Sequence, residues 1–271
     1  MTTAPETTGT VPVRGAELAY SRTGSGPVVI VAHGLTSSRA NNAASGLLDL
    51  SPVSDAGYTL ISYDARGHGE STGTGVPDDY LWPALADDLL AFADAVAPGE
   101  QVAVIGSSMG TATAIFAALK APERIGALVL TAPPTAWQSR AAQSAVYHRM
   151  ADAIEQNDLQ ALQELFADTG EPEIFAELGI SPAEPDIKPE LVPAVLRGAA
   201  ATDLPSPDEI AGIRQETLLL PWATDPGHPI STAIALAEAV INSRLRIAHN
   251  AAQVRAYGAW SVAFLREVFP A

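Results

Sequence analysis

Apolar, β-branched-rich runs recur along the chain at residues 28–32, 58–63, 101–105, 127–131, 217–222 and 245–248. Each is short and nearly continuous, without the alternation of a half-wet strand, which predicts strands buried on both faces. Between them the apolar spacing shifts to the helical period. Residues 80–96 carry a stripe with Asp87, Asp88 and Asp94 off it, and 230–241 and 253–269 follow the same rhythm. Strands alternating with helices predict an α/β fold, a mostly parallel central sheet of about eight strands flanked by helices. Residues 11–14 and 18–22 add an opening hairpin turned at Gly15.

About 85 residues separate the run ending at Thr131 from the one starting at Thr217, whereas a crossover helix with its loops needs only about 30. An insertion is expected over 135–208. Its helical pieces (138–156, 159–167 and 190–201) are punctuated by Pro172, Pro182, Pro185, Pro189, Pro205 and Pro207, and it is read as a helical lid over a site. The core would then comprise 11–134 and 209–271, with the polar residues 1–10 as a disordered tail.

The chain has 271 residues, 47% hydrophobic, with a net charge of −16 and no cysteine. That negative charge disfavours nucleic acid and anionic membrane as partners. The missing thiols exclude a cysteine nucleophile, a disulfide framework and thiolate metal ligation, and fit a cytoplasmic setting. No apolar stretch approaches the ~20 residues of a membrane helix, and residues 1–10 lack the apolar core of a secretory signal. The histidines (33, 68, 148, 228 and 249) lack paired ligand spacing, so no metal is expected. No phosphate-cradling glycine motif follows a strand, so no nucleotide cofactor is expected either.

The candidate chemistry lies at Gly106-Ser-Ser-Met-Gly110, between the run 101–105 and a helix-forming stretch from Thr111. Gly-x-Ser-x-Gly between strand and helix is the pattern of a nucleophile elbow. The tight turn strains the serine backbone and lifts its hydroxyl clear of the sheet. Gly106 and Gly110 are required because strand and helix pass too closely for a Cβ. Ser108 is therefore the candidate nucleophile, and the backbone N–H of Met109 a candidate oxyanion donor at the positive end of the helix. A serine also needs a base and an acid that orients it. Asp225 follows the run 217–222, which places a carboxylate at the ligand-binding edge of a parallel sheet.

Four segments in order resemble the α/β-hydrolase fold over nearly the whole chain. His33-Gly34-Leu35 is similar to the family's His-Gly-x segment. Tyr63-Asp-Ala-Arg-Gly-His-Gly-Glu-Ser71 is similar to its Asp-x-Arg-Gly-x-Gly-x-Ser segment. Gly106–Gly110 matches the elbow, and Trp222-Ala-Thr-Asp-Pro-Gly-His-Pro229 resembles the acid segment with Trp222 in place of glycine. The resemblance implies Leu35 N–H as second oxyanion donor, with His33 and Gly34 supporting that loop. Asp64 and Arg66 can pair to brace the neighbouring one, with His68 as scaffold. For the base it implies the order Ser…Asp…His, which His249 satisfies, although it arrives directly after the strand 245–248 with no glycine-rich loop. His228, three residues after Asp225, is the alternative; an incomplete triad is the third case.

These residues lead to the expectation of a cofactor-independent serine hydrolase. It would cleave a small or medium, largely apolar carboxylic ester, lactone or thioester through an acyl-enzyme on Ser108. Trp137, Tyr147, Phe166 and Phe175 are the expected pocket walls. Carbon–carbon bond hydrolysis and perhydrolysis use the same residues. The alternative from another class is a ligand-binding or sensor protein on this fold with weak or no hydrolysis. Substrate identity and oligomeric state are not encoded in these motifs.

Overall fold

The computed structural model of the chain describes residues 5–168, 173–180 and 184–271, and the side chains of 166–168 lie outside that description. The chain opens with an antiparallel hairpin of β1 (Thr7–Val13) and β2 (Ala16–Gly24). Left-handed Arg14 (φ 44°) and Gly15 (φ 80°) turn it, the geometry whose twist matches two paired strands. The strand therefore begins at Thr7, inside the stretch expected to be a disordered tail. Its β-branched threonines extend the ladder, and residues 1–4 lie outside the described set.

The buried runs form β3 (Val28–Ala32), β4 (Thr59–Tyr63), β5 (Val102–Ser107), β6 (Ile125–Thr131), β7 (Glu216–Leu220) and β8 (Ser243–Leu245). All strands join one sheet in the order β1-β2-β4-β3-β5-β6-β7-β8, parallel from β4 to β8. The strand order reverses on either side of β3, and β5, which carries the elbow, lies beside it. Ligands gather at the carboxyl ends of strands near such a reversal.

Helices α1 (Arg39–Ser45) and α2 (Ser51–Asp55) link β3 to β4, α3 (Trp82–Val96) precedes β5, and α4 (Met109–Lys120) follows it. Between β6 and β7 lie α5 (Arg140–Glu155), α6 (Leu159–Asp168), α7 (Glu173–Leu178), α8 (Val192–Ala200) and α9 (Pro207–Ile210). The long gap is thus filled by helices, although α9 crosses the expected boundary at 208. After β7 come α10 (Ile230–Ala239), then α11 (Ala251–Arg255) and α12 (Tyr257–Val268) following β8. α3 and α4 cover one face of the sheet, where Leu85, Leu89 and Phe92 meet Val104, Ile115 and Leu128. α12 covers the other, where Phe264 and Leu265 meet Val29, Ile105 and Val129.

Buried ion pairs brace the loops beside the sheet, with partners other than those the sequence suggested. Asp64 does not pair with Arg66. Its carboxylate accepts from Arg39 N–H (2.8 Å), Arg39 Nε (3.0 Å) and Glu70 N–H (3.0 Å). Arg66 forms a two-pronged bridge to Asp88 on α3, both contacts at 2.8 Å. Both side chains of that bridge are almost fully buried. A planar fork facing a carboxylate satisfies both charges in one geometry, and the tertiary fold selected that partner across 22 residues.

Candidate active site

Ser108 sits at the turn from β5 into α4 with φ 53° and ψ −111°. A left-handed non-glycine residue costs ~1–3 kcal/mol and persists only where its surroundings fix it. The surroundings do so here. A Cβ on Gly110 would lie 2.0 Å from the Ala32 carbonyl oxygen, and one on Gly106 would lie 2.4 Å from that of Gly110. Ser108 N–H donates to Thr131 O at 3.2 Å. The buried Thr111 hydroxyl lies within donating distance of two carbonyl oxygens, Gly106 O (2.9 Å) and Thr131 O (2.8 Å), and ties the first turn of α4 to the strands.

His228 completes the contact. Its Nε2 lies 2.7 Å from Ser108 Oγ, and its Nδ1 lies 2.8 Å from Asp225 Oδ2. A carboxylate only accepts, so Nδ1 carries the ring proton and Nε2 is free to accept the serine proton. Thr224, at φ 64°, turns the chain just after β7. Asp225 Oδ1 then accepts the N–H groups of Gly227 (3.0 Å) and His228 (3.2 Å), and the ring folds back over its own loop. Asp225 is 4% exposed in its side chain and His228 26%. Burial pushes the Asp225 carboxyl upward, but the hydrogen bond and charge of His228, with the two backbone donors, outweigh it and hold the group below its ordinary value. The Trp222 indole lies 6.1 Å from the imidazole, centroid to centroid.

His249 is not brought to this cluster. It is exposed at the start of α11, and its backbone N–H donates to Gln253 Oε1. That corner belongs to the insertion. Ile174, Phe175 and Leu178 of α7 pack in one cluster with Trp222, Ala248 and Val254, while Glu177 accepts the Ala251 N–H that opens α11 at 3.0 Å. Only residues 246–250 join β8 to α11, and their backbone is tied to Leu219, Pro221 and Gln253. His228 takes the place beside Ser108 because a capped turn makes three residues enough.

Gly34 lies against the nucleophile: a Cβ there would be 3.3 Å from Ser108 Cβ. His33 is buried behind it, with Nε2 accepting Ala65 N–H (2.9 Å) and Nδ1–H donating to Gly34 O (2.8 Å). Burial holds its imidazole below the ordinary value despite the Gly34 carbonyl and the charges of Asp64 and Asp186. Leu35 follows Gly34, and Met109 is the first residue of α4, so its N–H has no partner within the helix. His68 is fully buried, donates Nδ1–H to Arg66 O at 2.8 Å, and is held down to about 3 by burial, with His33 adding to the effect.

Among the expected pocket walls, Trp137 is half-buried against the core and donates Nε1–H to Pro205 O at 3.0 Å. Tyr147 stacks near the buried Arg140 guanidinium, and Phe175 joins the Trp222 cluster. The Phe166 side chain, Pro172 and Pro182 lie outside the described residues. His148 is exposed on α5. Among the described residues no group of three or more His, Cys, Asp or Glu side chains is arranged to hold a metal, and no helix is long and apolar enough to cross a membrane.

The fold and this site define a serine-elbow α/β protein. Residues 27–176, more than half the chain, match the family model described as the alpha/beta hydrolase fold, and the chain belongs to that family. A hydrolase structure from Pseudomonas aeruginosa PA01 superposes with a TM-score of 0.76 at 24% identity, covering 95% of this chain and 98% of that one. A proline iminopeptidase of Pestalotiopsis fici is 34% identical over 128 residues, 45% of this chain and 43% of its own length. A 2-hydroxy-6-oxo-6-phenylhexa-2,4-dienoate hydrolase of Comamonas testosteroni is 32% identical over 114 residues, 42% of this chain and 39% of its own. The chain thus spans less than half the length of these curated relatives.

Proposed function

We propose that the protein is a serine hydrolase acting through an acyl-enzyme on Ser108, with carboxylic esters, lactones or thioesters of small or medium, largely apolar character as substrates. The observation that carries this reading is the continuous relay Ser108 Oγ–His228 Nε2–His228 Nδ1–Asp225 Oδ2 at 2.7 and 2.8 Å. His228 takes the serine proton as Oγ bonds to the substrate carbonyl carbon, and the carbonyl π electrons move to oxygen. The N–H groups of Leu35 and Met109 receive the oxyanion, each such donor lowering the barrier by ~3–4 kcal/mol. Asp225 holds the ring orientation and stabilises the imidazolium. His228 then returns the proton to the leaving alcohol, and a water activated the same way releases the acid. None of these steps requires a cofactor.

Charge supports neutral substrates. At a net charge of −16 the protein repels anions, which disfavours anionic esters and favours departure of the carboxylate product. The helical insertion acts as lid, and its Phe175 and Leu178 pack against the same apolar cluster that holds Trp222. Esterases from Exiguobacterium antarcticum and Thermogutta terrifontis share this fold at TM-scores of 0.73 and 0.72, which makes esters the first substrates to test. A fluorophosphonate probe tests the reading. Labelling at Ser108, abolished in Ser108→Ala, is expected. Absence of labelling in folded wild-type protein refutes it.

A further inference from the structure

Among the described residues, the segment 184–187 of the insertion hydrogen-bonds to the oxyanion loop and its surroundings. Asp186 N–H donates to Thr36 O, and Gly69 N–H donates to Asp186 O, both at 2.8 Å. Asn41 Nδ2 donates to Glu184 O at 2.9 Å, and Ile187 forms an antiparallel bridge with His68. The segment is therefore a strap, bonded on one side to the loop after β3 and on the other to the loop after β4. Its Ile187 side chain is buried with Tyr80, Leu191 and Val195, and Leu35 packs against that same cluster.

The bonded residue, Thr36, is not relaxed. It holds φ 62°, a conformation that a β-branched side chain resists and that needs outside support. Its carbonyl is held by Asp186, while Ser37 N–H closes the turn onto Gly34 O at 3.2 Å. Leu35 lies between these anchored residues, so the direction of its N–H depends on them. An oxyanion donor acts only when aimed in advance at the place where charge develops.

We propose that the strap at 184–187 is a positioning element for the Leu35 oxyanion donor, coupling the helical insertion to catalysis and not only to substrate binding. The proposal deepens the serine-hydrolase reading and rests on it. Asp186 and Ile187 act through Leu35 and are positioning residues. Removing the strap leaves Ser108, His228 and Asp225 untouched and loosens one donor, so it lowers transition-state stabilisation selectively.

The test uses the 271-residue chain with p-nitrophenyl butyrate and an alkyl trifluoromethyl ketone, which adds Ser108 Oγ to its carbonyl carbon and leaves an oxyanion. Asp186→Pro deletes the donor to Thr36, Asp186→Asn retains it, and Ile187→Ala truncates the strap's member of the cluster that Leu35 packs against. The expected result is a 10- to 100-fold fall in kcat for Asp186→Pro and Ile187→Ala, with KM within twofold. Ketone affinity should fall by the same factor, and Asp186→Asn should stay near wild type. If wild type is labelled by fluorophosphonate, and Asp186→Pro and Ile187→Ala, shown folded by circular dichroism, keep kcat and ketone affinity or change KM alone, the strap proposal is overturned while the hydrolase reading stands. If Asp186→Pro does not fold, Ile187→Ala decides by the same criteria. If folded wild type is unlabelled, both fall.

Discussion

Asp225→Asn separates an orienting carboxylate from a merely polar loop residue. Asp225 works at both oxygens: Oδ2 faces His228 Nδ1 at 2.8 Å, and Oδ1 accepts Gly227 and His228 N–H at 3.0 and 3.2 Å. Asparagine keeps the volume but has one acceptor. If its oxygen caps the two backbone amides, its NH2 faces Nδ1. The ring must then place its proton on Nε2, where it can no longer accept from Ser108. If the amide flips, the proper tautomer survives but both backbone bonds are lost, at about 1 kcal/mol each. The flip also faces the NH2 toward those amide hydrogens, so the wrong-tautomer state dominates. Comparable substitutions in serine triads lower kcat by ~10⁴, about 5.5 kcal/mol of barrier. The assay is steady-state hydrolysis of p-nitrophenyl butyrate beside thermal unfolding. A loss of three or more decades in kcat, with folding retained, is expected. A loss below tenfold would refute the assignment of Asp225 as the orienting acid.

Other outcomes follow from the same geometry. Asp88→Ala strands the buried Arg66 guanidinium and should destabilise the fold by ~3–5 kcal/mol in urea unfolding, as breaking buried pairs does; a change under 1 kcal/mol would contradict it. Gly110→Ala would place a Cβ 2.0 Å from Ala32 O, so the variant should be insoluble or lose fluorophosphonate labelling, and a soluble, fully reactive protein would show the elbow to be less constrained. The His68 imidazole is held down to about 3 against an ordinary 6.5, so between those values the unfolded chain binds a proton that the folded chain does not. Its contribution is intact above pH 6.5 and is lost as pH falls toward 3, at up to ~1.4 kcal/mol per pH unit. His68→Gln should flatten the decline in urea stability between pH 6.5 and 4.5 relative to wild type, and parallel declines would disprove it.

The strands and the elbow were legible because their signals are local. Continuous β-branched runs mark doubly buried strands, and Gly106 and Gly110 are dictated by a contact between adjoining elements. The placement of Asp225 after β7 follows from the same reading. The ion pairs were less legible: Asp64 with Arg39 and Arg66 with Asp88 are chosen by how distant segments meet, and Asp88 looks in sequence like one more solvated acid on a helix. The start of β1 is hidden in the sequence because Thr7, Thr8 and Thr10 look polar, although β-branched residues favour strands. The histidine was the hardest. Both His228 and His249 fit the order Ser…Asp…His; position after the last strand favours His249, and the three-residue spacing from Asp225 to His228 looks too short. What reverses that preference is the left-handed Thr224 with the Asp225 cap, together with the docking of α7 on α11. Neither leaves a local pattern, although the Asp-Pro-Gly-His turn was the available clue.

The central claim is that the base comes from the acid's own loop. Comparing kcat/KM of His228→Ala and His249→Ala on one ester tests it most directly. His228→Ala should lose at least three decades while His249→Ala, altering an exposed side chain, stays within twofold of wild type. An active His228→Ala beside an inactive, folded His249→Ala would contradict the account.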